Sequence, residues 1–418
     1  MNKIKKTFSV LNEHGLFRGS LIILRKILKK SPDNIILGKT DILKFYNFIN
    51  YSANPPKLKQ SINISSPKII WFIPDFGIGS GGHLNIFRMI YNLEKLDIHS
   101  DITVCGSSQW GTEEVIKDIL SKHFFPLNSR IFILEDDSDF EQLTSYDIAM
   151  ATSWQTAYYV NKFNNCYKKA YFVQDYEPYF TALGSVYSFA EETYKFGFFG
   201  ITAGNWLSEK LEKKYSMPCK PFSFSYDREL YGIHKRNEPS KKHIFFYARP
   251  PTERRAFELG LLVLDKVTKK RPDISIIFAG WDVSSYEIPF HHLNAGIVKL
   301  DELSNLYSQC DAALVLSFTN LSLLPLELLA SGCPVVMNKG NNNDWIDIDK
   351  KLFIYSNNID ELANTLIDVV DKKINVDFDY VNQFLSSTSW ENEARKVKSI
   401  IHSILNEETD DNRKWNAC

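Results

Sequence analysis

The sequence predicts an α/β protein built from two doubly wound modules that face each other across a cleft, preceded by a helical extension. Three observations lead there. A continuous apolar run, Lys68-Ile69-Ile70-Trp71-Phe72-Ile73, stops at Pro74 and passes through a glycine-rich loop into an amphipathic helix. Short apolar runs and helical patterns then alternate to about residue 215. After the polar stretch His234-Lys235-Arg236-Asn237-Glu238-Pro239-Ser240 the alternation restarts at Ile244. A run without polar alternation fits a strand covered on both faces, and strands alternating with helices build parallel sheets. At 418 residues the chain exceeds what one core ordinarily organises, so two modules are expected.

The elements follow in order. Residues 1–66 read as the helical extension and a linker. Lys3, Lys5, Lys6, Arg18, Arg25, Lys26, Lys29 and Lys30 face the single acid Glu13, while Ile4, Phe8, Leu11, Leu21, Leu24 and Leu28 recur at roughly helical spacing. A basic amphipathic helix over residues 1–31 suits the anionic surface of an inner membrane, and equally suits packing with a solvated basic side. Residues 31–66, broken by Asn54-Pro55-Pro56 and Ser65-Ser66-Pro67, read as a connection with one short helix. The first Rossmann-like module, residues 67–232, takes strands at 68–73, 102–105, 131–134, 147–151, 170–173 and 200–203, with helices that include 83–96, 113–121 and 205–215. The second, residues 233–388, takes strands at 244–248, 274–279, 297–300, 312–316 and 334–337, and helices near 255–268, 303–310 and 323–331. A last helix, about 390–405, lies in the closing segment 389–418.

Composition narrows the function. A net charge of −1 gives no field that selects nucleic acid. No apolar run approaches the ~18 residues of a membrane span, and Leu21–Leu24 is too short for a signal-peptide core, so a cytoplasmic protein is expected. Cys105, Cys166, Cys219, Cys310, Cys333 and Cys418 lack C-x-x-C pairing or regular spacing, which favours reduced, buried thiols over disulfides or zinc.

In doubly wound modules ligands gather at the carboxyl ends of the strands, where loops and helix N-termini converge. The first such loop, Pro74 to His83, contains G-x-G-x-x-G at Gly77, Gly79 and Gly82. A nicotinamide dinucleotide reading also requires an acid at the end of the second strand, which here reads Cys105-Gly106-Ser107, with Asp101 at the opposite end. What survives is a set of backbone N–H groups at Gly81 and Gly82, with His83 at the helix start as a sugar contact or a simple cap. Gln174, Asp175 and Glu177 follow a strand and are expected to face the cleft, Asp175 contacting sugar or acceptor, or capping a turn. Asp137-Ser138-Asp139 has the spacing of a manganese-binding D-x-D, but its acidic run fits a solvated helix start better. His291-His292 lacks partners at ligand spacing, so no metal site is expected.

The second module is more specific. Arg249, ending a strand, and Arg255, opening a helix six residues on, place two guanidinium forks at the cleft edge, a geometry suited to phosphate oxygens. Then comes Ser317-Phe318-Thr319-Asn320-Leu321-Ser322-Leu323-Leu324-Pro325-Leu326-Glu327, followed by Ala330, Gly332, Pro334, Val335 and Val336. This segment resembles the family 4 retaining glycosyltransferases of the GT-B fold, and with Val173-Gln174-Asp175-Tyr176-Glu177-Pro178 it is most like the WsaF-type bacterial rhamnosyltransferases. Asp311 fits the same pattern. The resemblance covers roughly residues 68 to 405. It implies that Arg249 and Arg255 hold a donor diphosphate, that Glu327 contacts the nucleotide ribose, and that Gly81-Gly82 is the N-terminal glycine loop. Where the family has a first Glu this chain has Thr319, so the donor-sugar contact is expected to pass to Thr319, Asn320, Leu321 and Ser322.

The resemblance therefore implies transfer of a sugar, rhamnose from dTDP-rhamnose, to a glycan or lipid-linked glycan in bacterial surface polysaccharide, with no bound cofactor or metal. Two other readings stay open: a nucleotide-sugar epimerase on the same scaffold, and a non-catalytic scaffold.

Overall fold

The structure, a computed structural model, describes residues 41–56 and 64–406. The expected basic helix over residues 1–31 lies outside them. The chain divides at residue 50 into two units. The described part of the first holds a four-residue helix, Ile42–Phe45, capped by Asp41, whose side chain accepts from the Lys44 amide at 2.9 Å.

The second unit holds two parallel sheets. Strands β1 (Lys68–Pro74), β2 (His99–Cys105), β3 (Ile131–Leu134), β4 (Tyr146–Ala151), β5 (Cys166–Val173), β6 (Phe199–Ala203) and β7 (Cys219–Phe222) pair in the order β3-β2-β1-β4-β5-β6-β7. Strands β8 (Lys242–Tyr247), β9 (Ile274–Ala279), β10 (His292–Gly296), β11 (Ala312–Val315), β12 (Val335–Asn338) and β13 (Ile354–Ser356) pair as β10-β9-β8-β11-β12-β13. Both orders reverse direction beside their first strand, the doubly wound pattern expected, and together they form the two Rossmann-like domains of a GT-B fold.

The apolar strands explain the layering. In β1 five consecutive residues are buried, because helices cover both faces of the sheet. One continuous core runs from both sides of the first sheet to the near face of the second, taking in Phe245, Val315, Leu326 and Val335. Helices Phe257–Lys270 and Ile359–Val370 close a separate core on the far face.

One strand differs from the expectation. The edge strand is His292–Gly296, not 297–300; Ile297 is 83% exposed and Leu300 already begins helix Leu300–Ser308. An edge strand half open to water needs no apolar run, so the pair Ile297-Val298 was the wrong signal. Short edge strands β7 and β13 carry equally little pattern. Among the described residues no helix is long and apolar enough to cross a membrane.

The chain passes between the domains twice, through residues 223–241 and again at residues 388–389. The two passages are tied together: the Arg228 guanidinium donates to the carbonyls of Leu385, Ser386 and Thr388, and Ser225 Oγ to Thr388 Oγ1 at 3.3 Å. The closing helix Trp390–Asn406 returns to the first domain, packing on helix Gly81–Glu94, with Lys398 Nζ donating to the Leu96 carbonyl at 2.6 Å.

Gly260 shows how tightly the far core is filled. A Cβ there would lie 2.0 Å from Phe246 Cζ. Alanine normally stabilises a helix interior over glycine by about 1 kcal/mol, but overpacking costs about 1–3 kcal/mol. Gly260→Ala should therefore lower the thermal midpoint in calorimetry; a raised midpoint would contradict this packing.

Candidate active site

In the second sheet the winding reverses between β8 and β11, so the loops after these strands flank a crevice. The loop after β8 carries Arg249, Arg254 and Arg255; the loop after β11 carries Ser317 to Ser322. The two loops are joined by the Phe318 amide, which donates to the Arg254 carbonyl at 3.0 Å. Ala256, at φ 47°, turns the chain between the 3₁₀ turn Glu253–Arg255 and helix Phe257–Lys270. A non-glycine residue in that region is strained, as residues at functional sites often are.

Arg249 Nη1 reaches the Gly280 carbonyl at 3.4 Å, and its guanidinium lies 6.0 Å from the rings of Tyr247 and Trp281. Arg254 stacks 4.0 Å over the Phe180 ring, and its Nε, buried without a hydrogen bond, stands 4.0 Å from Asp175 Oδ2. Arg255 Nη1 donates to Ser317 Oγ at 2.6 Å. Burial pushes the Arg254 and Arg255 guanidinium groups below their usual range, and Asp175 opposes that shift in both. Arg254 and Arg255 beside one carboxylate, with Arg249 next to them, leave positive charge and N–H donors for an anion.

Asp175 comes from the first domain, two residues after β5. Its Oδ2 accepts from Thr319 Oγ1 at 2.8 Å and its Oδ1 from the Asn320 amide at 2.7 Å. Asn320 extends the junction: its Nδ2 donates to the carbonyls of Gln174 and Ala203, and its Oδ1 accepts from Trp345 Nε1. Gly204, at φ 90°, admits the Trp345 ring, which a Cβ would meet at 2.5 Å. Thr319, Asn320 and Leu321 are buried, and Ser322 is half-buried. Beneath the loop, Asn338 exchanges two hydrogen bonds with the Ser317 backbone, and Asn342 and Asn343 each donate to the Ser317 carbonyl. The Leu321 amide donates to the Asn342 carbonyl at 3.0 Å.

The remaining expected residues fall into two further groups. Glu327, in the first turn of helix Leu324–Ala330, lies beside Tyr231, Arg88 and Asp227. Burial lifts its carboxyl to about 7, against the opposing pull of Arg88. Arg88, itself buried, pairs with Asp227 at 2.5 Å and stacks 4.7 Å over Trp390. Among the described residues no hydrogen bond or ion pair joins Glu327 to Arg249 or Arg255; Tyr307 lies between the two neighbourhoods, feeling both the Glu327 carboxylate and Tyr247. In the glycine loop, Gly81 and Gly82 are exposed and open helix Gly81–Glu94, with Gln174 Nε2 donating to the Gly82 carbonyl at 3.1 Å. His83 Nε2 donates to the Pro74 carbonyl at 3.2 Å, and Nδ1 accepts from Ser80 Oγ at 2.8 Å. Burial lowers its pKa to about 4. A neutral imidazole with both nitrogens engaged organises this loop rather than moving a proton.

Glu177 corrects the sequence reading. It does not face the cleft; it is buried in the first domain, accepting from the Trp154 amide and the Tyr171 hydroxyl, each at 2.8 Å. Asp101 is likewise structural, buried in β2 under Arg130 and Tyr146. Asp136 and Asp139 form a capping box at the 3₁₀ turn Asp137–Gln142, the helix-start reading of that acidic run. Among the described residues no group of three or more His, Cys, Asp or Glu is placed to hold a metal ion. Sequence reasoning missed Arg254, Arg88 and the Asn338–Trp345 support. Arg254 adjoins Arg255 in the sequence, but nothing local marks Arg88, whose partners lie far along the chain.

Comparison with known proteins agrees with this architecture. Residues 242–367 match the family described as WsaF, C-terminal domain. The O-antigen biosynthesis protein RfbC of Myxococcus xanthus is 32% identical over 281 residues, 66% of this chain. The chain spans only 22% of that relative's length. S. aureus TarM, solved with fondaparinux, α-GlcNAc-glycerol and UDP, superposes with a TM-score of 0.62 at 10% identity, over 81% of this chain and 100% of TarM. A glycosyltransferase from Rickettsia africae gives 0.57 at 15% identity, over 82% and 99% of the two chains. The pneumococcal O-GlcNAc transferase GtfA, solved with UDP and GlcNAc, gives 0.58 at 10% identity, over 82% and 100%. At these identities the structural likenesses establish the shared fold.

The buried Glu177 sets a pH dependence. Burial raises its carboxyl from 4.5 to about 7, so the folded chain holds a proton that the unfolded chain has released. Its contribution to stability is complete below about 4.5 and is lost as pH rises through about 7. Glu177→Gln should flatten the fall in stability across this window, measured by urea unfolding at each pH. A slope unchanged by the substitution would refute the buried-proton account.

Proposed function

We propose that this chain, a WsaF-like protein of the GT-B fold, is a glycosyltransferase that moves a sugar from a nucleoside diphosphate to a glycan acceptor in bacterial surface polysaccharide assembly. The observation that carries the reading is the gathering of Arg249, Arg254 and Arg255 at the reversal point of the second sheet, the last two beside the Asp175 carboxylate. The relatives support it: RfbC is described as acting in O-antigen biosynthesis, and TarM and GtfA were each solved with UDP.

In this proposal the three guanidinium groups receive the charge that develops on the departing diphosphate. Held in place before the reaction, they need no reorganisation as that charge appears. Ser317 and the asparagine support keep Arg255 and the Thr319–Ser322 loop at fixed distance. Glu327 accepts from the ribose hydroxyls. Asp175 supplies, from the facing domain, the carboxylate that the family resemblance places at position 319, and it orients the sugar or the attacking hydroxyl. Gly81, Gly82 and the loop held by His83 complete the acceptor side. The donor we propose is dTDP-rhamnose, with retained anomeric configuration and without metal; both follow from the resemblance to the WsaF-type enzymes. The acceptor proposed is a glycan or lipid-linked glycan. Residues 1–31 would bring the chain to the inner membrane from the cytoplasm.

A second reading has one observation behind it. The fold is also similar, with a TM-score of 0.51, to a putative UDP-N-acetylglucosamine 2-epimerase from Listeria monocytogenes. An epimerase would turn over a nucleotide-sugar alone, whereas a transferase needs an acceptor.

Arg249→Ala and Arg255→Ala should each lower the transfer rate roughly 10²–10³-fold, measured with dTDP-rhamnose and a rhamnose-containing oligosaccharide. Rates within twofold of the wild type would remove the diphosphate clamp. Activity should also survive EDTA; loss on chelation and recovery with manganese would show that a metal carries the charge instead.

A further inference from the structure

Beside the arginine cluster lies a pocket of about 540 Å³ that both domains line. The first domain contributes Tyr179, Leu183 and Tyr187; the second contributes Glu253, Arg254 and Phe318. We propose, on the basis of the transferase reading, that this pocket is the acceptor subsite: it binds a pyranoside unit of the acceptor glycan, stacked on Tyr179, Tyr187 and Phe318.

Exposure is the first argument. Tyr179 is 45% exposed, Phe318 52% and Leu183 84%, so large apolar side chains surround a concavity open to water. Patches of this kind mark binding surfaces. The second argument is chemical. A pyranose presents a flat C–H face and a rim of hydroxyls, so its site needs aromatic rings with polar groups at their edges. Tyr and Trp-like rings supply contact area at little entropic cost. Arg254 supplies the polar edge: its guanidinium makes no hydrogen bond within the described residues, and its buried Nε stands 4.0 Å from Asp175 Oδ2. Glu253, exposed on the same turn, accepts from hydroxyls. A hydrocarbon chain in this place would bury Arg254, Glu253 and Thr319 against groups that cannot pair with them, at a cost for each.

The third argument is position. Thr319 lines the pocket and donates to Asp175, and Arg254 stands 4.0 Å from the same carboxylate. A saccharide lying on these rings therefore borders the charged cluster where the donor diphosphate is placed, and its far end leads to solvent past Leu183. The platform is also rigid. Tyr179 packs edge-on to Tyr176 at 4.6 Å, and Lys210 Nζ donates to its hydroxyl at 3.1 Å while lying 4.8 Å over its ring. A ring held this way loses little freedom on binding.

Saturation-transfer NMR on the full chain with octyl α-rhamnopyranoside tests the proposal, because the probe carries both a sugar ring and a hydrocarbon tail. Ring protons should receive saturation. Tyr179→Ala and Phe318→Ala should each weaken binding about tenfold, Tyr179→Phe should preserve it, and added dTDP should not displace the probe. Saturation confined to the octyl chain, unchanged binding in both alanine variants, displacement by dTDP, or no binding by a chain that still binds dTDP would each overturn it. Calorimetry with dTDP on the same samples separates the two readings. If dTDP fails to bind while the pyranoside binds and responds to the substitutions, the transferase reading falls and the sugar pocket stands.

Discussion

One carboxylate joins the two halves of the site. Asp175 leaves the first domain after β5 and takes hydrogen bonds from the Thr319 hydroxyl and the Asn320 amide of the second. Asn320 returns the contact to the carbonyls of Gln174 and Ala203. The setting of Arg255 is tied to this exchange, since Ser317, which accepts from it, belongs to the same loop. Asn338, Asn342 and Asn343 support the loop from below, all three donating to the Ser317 carbonyl. Amides paired in this way hold the loop, because a shift that leaves a buried polar group unpaired costs about 1–3 kcal/mol.

Charge accounts for the choice of residues around it. Arg249, Arg254 and Arg255 crowd a space partly removed from water, where like charges would repel one another without a counter-ion. Asp175 relieves part of that repulsion and leaves the remainder for a ligand. A hydroxyl at Thr319 fits the same logic. A carboxylate at position 319 would stand against Asp175, whereas a hydroxyl donates to it at 2.8 Å.

The sequence displayed the fold through its strands, since an uninterrupted apolar run such as Ile69 to Ile73 has few other uses. It displayed the second domain's motifs because Arg249, Arg255 and Glu327 sit at fixed spacing within one Rossmann unit. What it hid was set by contacts across the chain. Glu177 and Asp175 are two residues apart after the same strand, yet one is buried on Tyr171 and the other spans the cleft; no local pattern distinguishes them. Arg88 looks like one more helical cation until Asp227, Glu327 and Trp390 surround it. His292–Gly296 was overlooked because half-exposed edge strands need no apolar signature.

The tied passages at Arg228 and Thr388 bear on how the molecule can move. A single connection would let one lobe twist or drift freely against the other. Two adjacent connections, tied to each other by one guanidinium, restrict that freedom. The return of helix Trp390–Asn406 fastens the tied passages to the first lobe. Any opening must release the Asp175 clasp together with the Asn320 bonds to Gln174 and Ala203, the Trp345 ring on Gly204 and the Arg254 stack on Phe180.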